Sequence, residues 1–125
     1  MIFKVTNDID DLSRQFADWM VAYIGNTLTG NDRFCVALSG GSTPKKLYQL
    51  LASEKYRDKI DWSRIHFFIG DERYVPYSNE RNNGRMIHET LLDVIPAKKG
   101  QIYLMRTDTD PETSAAEYEN ILREY

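Results

Sequence analysis

An α/β fold built on a parallel sheet, with helices on both faces, is what three features of the chain predict. Short apolar runs alternate with longer stretches of helical periodicity, in the order β-α-β-α-β-α-β-α. Two of the runs, Phe34–Leu38 and Ile65–Ile69, are continuously apolar, as strands covered on both sides by helices are. Both run into polar, glycine-bearing sequence at their carboxyl ends, where ligands sit in such folds.

The elements follow in order. Residues 2–6 read as a short strand. Asp8 opens a helix reaching to Leu28, in which Leu12, Phe16, Trp19, Met20 and Tyr23 recur at spacings of three and four and mark an apolar face. Gly25, Gly30 and the polar pair Asn31-Asp32 stop it. After the run at Phe34–Leu38 comes Ser39-Gly40-Gly41-Ser42-Thr43-Pro44, and Leu47, Leu50 and Leu51 mark a second helix. Ile65–Ile69 leads into Gly70-Asp71-Glu72-Arg73. Past a polar loop at 77–83, Met86, Ile87, Leu91, Leu92 and Ile95 have helical spacing, ended by Pro96. Residues 102–105 read as a fourth strand. Asp110-Pro111 then opens a last helix, with proline at its first position and Ala115, Tyr118, Leu122 and Tyr125 as its stripe.

A chain of 125 residues is one domain's worth at ~150 residues per domain. Hydrophobic residues at 42% exclude a disordered chain, and a net charge of −3 gives no general pull toward nucleic acid or an anionic membrane. No apolar run approaches the ~18 residues of a membrane span, and the acidic N-terminal sequence is unlike a signal peptide. A cytoplasmic protein is expected. The single cysteine, Cys35, allows no internal disulfide and reads as a small packed hydrophobe. His66 alternates with Ile65 and Phe67 as a packed histidine, while His88 reads as a boundary residue. Two histidines and one cysteine offer no metal-ligand spacing.

Chemistry concentrates in two loops. In Gly40-Gly41-Ser42-Thr43-Pro44 the glycines let backbone approach a ligand, and the hydroxyls and first helical N–H groups suit a phosphate. The same residues also fit an ordinary capped helix start. The stretch is neither a Walker loop nor a dinucleotide fingerprint. In the second loop, Arg73 can hold an anion bidentately and Asp71 can orient a reacting group or act as a base; a solvated Asp–Arg pair is the plainer reading. Their joint occurrence at one sheet edge favours a site. Arg81-Asn82-Asn83-Gly84-Arg85 adds guanidiniums and a helix entrance that could extend it.

The stretches LSGGSTPKKLYQLL, FFIGDERYVP and NNGRMIHETLL followed by IP resemble the 6-phosphogluconolactonases, within the group that also holds the glucosamine-6-phosphate deaminases/isomerases. The resemblance spans nearly the whole chain, in family order and spacing. It implies a NagB/RpiA-like fold of which residues 1–125 are an incomplete, N-terminal part. It also implies hydrolysis of 6-phosphoglucono-δ-lactone to 6-phosphogluconate in the oxidative pentose phosphate pathway, without metal or organic cofactor. On this resemblance Asp71 and Arg73 are the catalytic candidates. Gly40, Gly41, Ser42, Thr43, Arg73 and Arg85 bind the sugar phosphate, with Asn83 matching the helix entrance. The family's catalytic histidine, in a Gly-x-Asp-Gly-His motif, has no match here, so the piece alone is expected to be inactive. Two alternatives remain: a deaminase/isomerase, in which Asp71 would be the proton-abstracting base, and a non-catalytic sugar-phosphate binding module. G-G-S-T-P, where deaminases usually read G-G-T-P, and Arg73-Tyr74-Val75-Pro76 after the acidic pair favour the lactonase branch.

Overall fold

The computed structural model describes residues 3–125. Its elements are α1 (Ile9–Leu28), β1 (Phe34–Leu38), α2 (Ser42–Leu51), α3 (Glu54–Arg57), β2 (Ile65–Ile69), α4 (Asn83–Ile87) and α5 (Pro111–Arg123). The Asp8 carboxylate caps α1 by accepting from the Asp11 N–H (2.8 Å), and Asp110 caps α5 through the Thr113 N–H (2.9 Å), with Pro111 at the first helical position. A π-helical turn, His88–Leu92, continues α4, and 3-10 turns at Trp62–Arg64 and Lys99–Gln101 lead into the neighbouring strand positions.

β1 and β2 pair in parallel, Phe34 opposite Ile65 through Leu38 opposite Ile69. Phe67 forms one further parallel bridge to Ile102, so β2 lies centrally. Strand side chains alternate between faces. One face carries Leu38, Ile65, Phe67 and Ile69 and packs with α1, α2 and the π-turn into the core, whose fully buried members include Leu51, Tyr56, Ile87 and Leu91. The other carries Cys35, Ala37, His66, Phe68 and Tyr103 and is covered by α5 only over β2.

Several expectations are corrected. Ile2, in the expected first strand, lies outside the described residues, and residues 3–6 form no strand; Phe3 and Val5 are exposed. β-propensity cannot make a strand without a neighbouring edge to complete its hydrogen bonds. The buried line of α1 is Ser13, Ala17, Ile24 and Leu28, not the aromatic one: Leu12, Phe16, Trp19 and Tyr23 are 41–49% exposed. α2 packs against the small-residue side because Ser13 and Ala17 allow close approach. β1 is not buried on both faces, and Cys35 is exposed, because nothing among the described residues covers that end of the second face.

The expected strand at 102–105 is reduced to one bridge, with a visible cause. The Tyr103 N–H donates to the Phe67 carbonyl (2.9 Å), but beyond that point the Tyr118 hydroxyl inserts. It accepts from the Ile69 N–H (2.7 Å) and lies within donating distance of the Ile69 (3.1 Å) and Tyr103 (3.3 Å) carbonyls. A side chain thus replaces the ladder. His66, by contrast, is packed as expected, its ring against Tyr103 and Tyr125. Burial and the Arg33 charge hold it below the usual histidine range.

Candidate active site

Leu38 and Ile69 are paired neighbours, so the loops that follow them leave the sheet from the same edge. Gly41 carries φ 109°, the left-handed region that glycine adopts without strain, and this swings the chain from β1 into α2. No side chain caps α2, and the N–H groups of Ser42 and Thr43 find no acceptor among the described residues. Two unpaired donors at the positive end of a ten-residue helix therefore face solvent, with the exposed Ser42 and Thr43 hydroxyls beside them.

Below this loop, Tyr48 closes the end of β1. Its hydroxyl accepts from the Ser39 N–H (2.9 Å) and donates to the Ser39 carbonyl (2.8 Å), and burial pushes its pKa up to about 12. The phenol stays a neutral clamp that holds Gly40 and Gly41 in place.

The second loop is organised by Glu72. Its carboxylate accepts from the backbone N–H groups of Arg73 (2.7 Å), Asn83 (2.7 Å) and Gly84 (2.8 Å). The entrance of α4, which the sequence offered as an extension of an anion site, is thus already filled by the chain's own anion. Asn82 completes the entrance as the cap, accepting from the Arg85 N–H (2.8 Å). Sequence reasoning assigned Glu72 no role. It lies eleven positions from Asn83, a distance no local motif spans.

Asn83 joins the two loops. Its side-chain N–H₂ donates to the Asp71 carbonyl (3.1 Å) and lies 3.4 Å from the Asp71 carboxylate. On its other side the amide lies against Gly40, where an added β-carbon would fall 2.1 Å from Asn83 Oδ1. Gly40, Asn83 and Asp71 therefore form one contiguous group, with Asn83 only 7% exposed.

Arg73 is exposed, and its guanidinium carries no ion pair among the described residues. Arg85 is placed differently. Its Nε donates to Glu89 (2.7 Å) and another nitrogen donates to the Ser78 carbonyl. The Glu89 carboxylate stabilises the guanidinium's charged form, so an incoming anion would compete with it. Two clefts flank the edge, one beneath Ser39, Thr43 and Pro44 and the other beneath Glu72, Pro76 and Arg106; neither is lined by both loops. Among the described residues no histidine, cysteine, aspartate and glutamate cluster could hold a metal ion, and no helix is long and apolar enough to cross a membrane.

Comparison with known proteins bears on this edge. The family model described as glucosamine-6-phosphate isomerases/6-phosphogluconolactonase matches residues 7–125. A 6-phosphogluconolactonase of Nostoc sp. is 35% identical over 123 residues, covering 98% of this chain and 50% of its own length. The crystal structure of 6-phosphogluconolactonase from Thermotoga maritima superposes with a TM-score of 0.74 at 33% identity, over 86% of this chain and 50% of that one. A monomeric glucosamine-6-phosphate deaminase reaches a TM-score of 0.82 at 14% identity, over 99% of this chain and 51% of its own, a likeness of fold alone. The chain spans about half the length of these relatives.

Proposed function

Because the chain belongs to the glucosamine-6-phosphate isomerase/6-phosphogluconolactonase family, we propose that it supplies the phosphate-gripping part of a lactonase site. The reaction is hydrolysis of 6-phosphoglucono-δ-lactone to 6-phosphogluconate. The observation that carries this reading is the uncapped start of α2, held open by Gly41 and tied through Asn83 to Asp71.

In this reading the substrate's phosphate takes the free N–H groups and hydroxyls of Ser42 and Thr43, with Gly40 and Gly41 shaping the backbone around it. Arg73, exposed and without an ion pair among the described residues, supplies a second grip on anionic oxygen, and Arg85 joins it once its pairing with Glu89 is exchanged for the ligand. Asp71, oriented by Asn83, acts electrostatically on the reacting end. A base-activated water adds to the lactone carbonyl and the ring oxygen leaves as the new hydroxyl. Anchoring the phosphate away from that carbonyl lowers the barrier by fixing orientation. The base comes from outside these residues: His66 is packed among aromatics and His88 is bound to Asp93 (2.8 Å). The chemistry calls for no metal or organic cofactor, and a cytoplasmic setting accompanies the proposal. The deaminase alternative is weaker, since its structural relative shares only the fold.

Titration of the ¹⁵N-labelled protein with 6-phosphogluconate tests the grip directly. Shifts should concentrate at the Gly40, Gly41, Ser42 and Thr43 amides and the Arg73 Nε, and Arg73→Ala should weaken binding by about tenfold. Shifts confined to other surfaces, or none at millimolar ligand, would remove the proposal.

A further inference from the structure

Each strand ends on a buried phenol. The Tyr48 hydroxyl, from α2, takes both backbone groups of Ser39, just past the end of β1. The Tyr118 hydroxyl, from α5, takes both backbone groups of Ile69, at 2.7 Å from the N–H and 3.1 Å from the carbonyl. Tyr48 is 4% exposed and Tyr118 5%. Tyr48 belongs to the core that α1 and α2 cover, whereas Tyr118 reaches β2 from the α5 side. Two helices on opposite faces of the sheet thus bring the same group to neighbouring strand ends.

The two clamps act from opposite sides. The Gly70 N–H donates to the Leu38 carbonyl (2.9 Å), which ties the strand ends to each other. Ser39 therefore turns its backbone groups away from β2, and Ile69 turns its own away from β1. Each phenol fills the side that the other strand leaves. A hydroxyl that accepts and donates at once must keep its proton. Burial favours that state, pushing Tyr48 up to about 12 and Tyr118 in the same direction. Glycine follows each clamped residue, Gly40 after Ser39 and Gly70 after Ile69. Backbone at a glycine has little stiffness of its own, so the clamp before it sets the direction in which each loop leaves.

We propose that Tyr48 and Tyr118 are positioning residues for the candidate site, fixing its two loops so that the start of α2 and Arg73 hold one phosphorylated sugar acid together. This assignment rests on the function proposed above. Both phenol oxygens are spent on backbone, so each acts through its own loop: Tyr48 through Ser42 and Thr43, Tyr118 through Asp71 and Arg73. Asn83 links the loops to each other, whereas the phenols tie each loop to its strand. Removing one phenol oxygen therefore frees one loop and leaves the other held. A loss of general stability would make no such distinction.

A double-mutant cycle read by 6-phosphogluconate affinity tests the assignment. Tyr118→Phe keeps the ring and removes the oxygen, and should weaken binding about fivefold. In the Arg73→Ala background the same change should cost about twofold or less, because its route to the ligand is gone. Tyr48→Phe should cost about fivefold in either background, since it acts through the other loop. Equal losses from Tyr118→Phe in both backgrounds, or no loss from either phenol, would overturn the proposal. The unsubstituted protein supplies a second readout that needs no variant to fold. There 6-phosphogluconate should slow amide exchange at Ser39 and Ile69 together, by at least about threefold, because a ligand that holds both loops also holds both clamps. Unchanged exchange at either amide in the bound protein would count against it equally. A protein that binds no 6-phosphogluconate removes the functional reading and this assignment with it; binding without loop-specific losses removes this assignment alone.

Discussion

Gly40 has room for its hydrogens and nothing larger, because the Asn83 amide lies where a β-carbon would be. The sequence marks Gly40 as permissive for a ligand's approach. The structure adds an internal reason: the close neighbour is another part of the chain. Asn83 cannot step aside cheaply, since it is buried and holds Asp71 through its N–H₂. Gly40→Ala is expected to cost about 2–3 kcal/mol in urea unfolding. In Gly40→Ala/Asn83→Ala the added methyl should cost about 1 kcal/mol or less, because its obstacle is gone. Additive losses in that cycle would show the two residues to be independent. Asn83 was legible by family likeness alone, because its contact with Gly40 spans 43 positions of sequence.

At the scale of elements, side chains decide what backbone pattern leaves open. Glu72 completes the start of α4, a helix of five residues too short to stand by its own hydrogen bonds. Glu72→Ala leaves three backbone donors without their acceptor, and a loss of about 2–3 kcal/mol is expected by denaturant unfolding. Glu72→Gln should recover part of it. Stability unchanged in both variants would place the organisation of the loop elsewhere. Tyr118 does the reverse for the strand at 102–105: its hydroxyl takes the Ile69 groups that a longer ladder would use. Propensity in that run reads as a strand, and one inserted phenol cuts it to a bridge. In α1 the periodicity correctly marks a helix, but its most apolar stripe is not the one buried here, because α2 packs closest where Ser13 and Ala17 are small.

Across the described residues, the start of α2 and the Asp71–Arg73 loop leave the sheet at one edge and are joined through Asn83, while the outer edge of β1 meets no strand. In the function proposed above, these residues hold part of a catalytic constellation and the general base lies outside them. Purified residues 1–125 should therefore show no 6-phosphogluconolactone hydrolysis above the spontaneous rate, measured by coupled production of 6-phosphogluconate. Turnover well above background would place the base within these residues, with His66 and His88 the first to substitute.

The chain's own residues determined the alternation of strands and helices, the parallel direction of the sheet and the edge at which the polar loops emerge. Those follow from apolar periodicity and from glycine and proline placement, which act within a few residues. Only the tertiary structure decided which side of α1 is buried, that residues 102–105 make a single bridge, and that Glu72 and Asn83 lock the two loops together. Burial and ladder partners depend on groups far apart along the chain, and no local spacing encodes them.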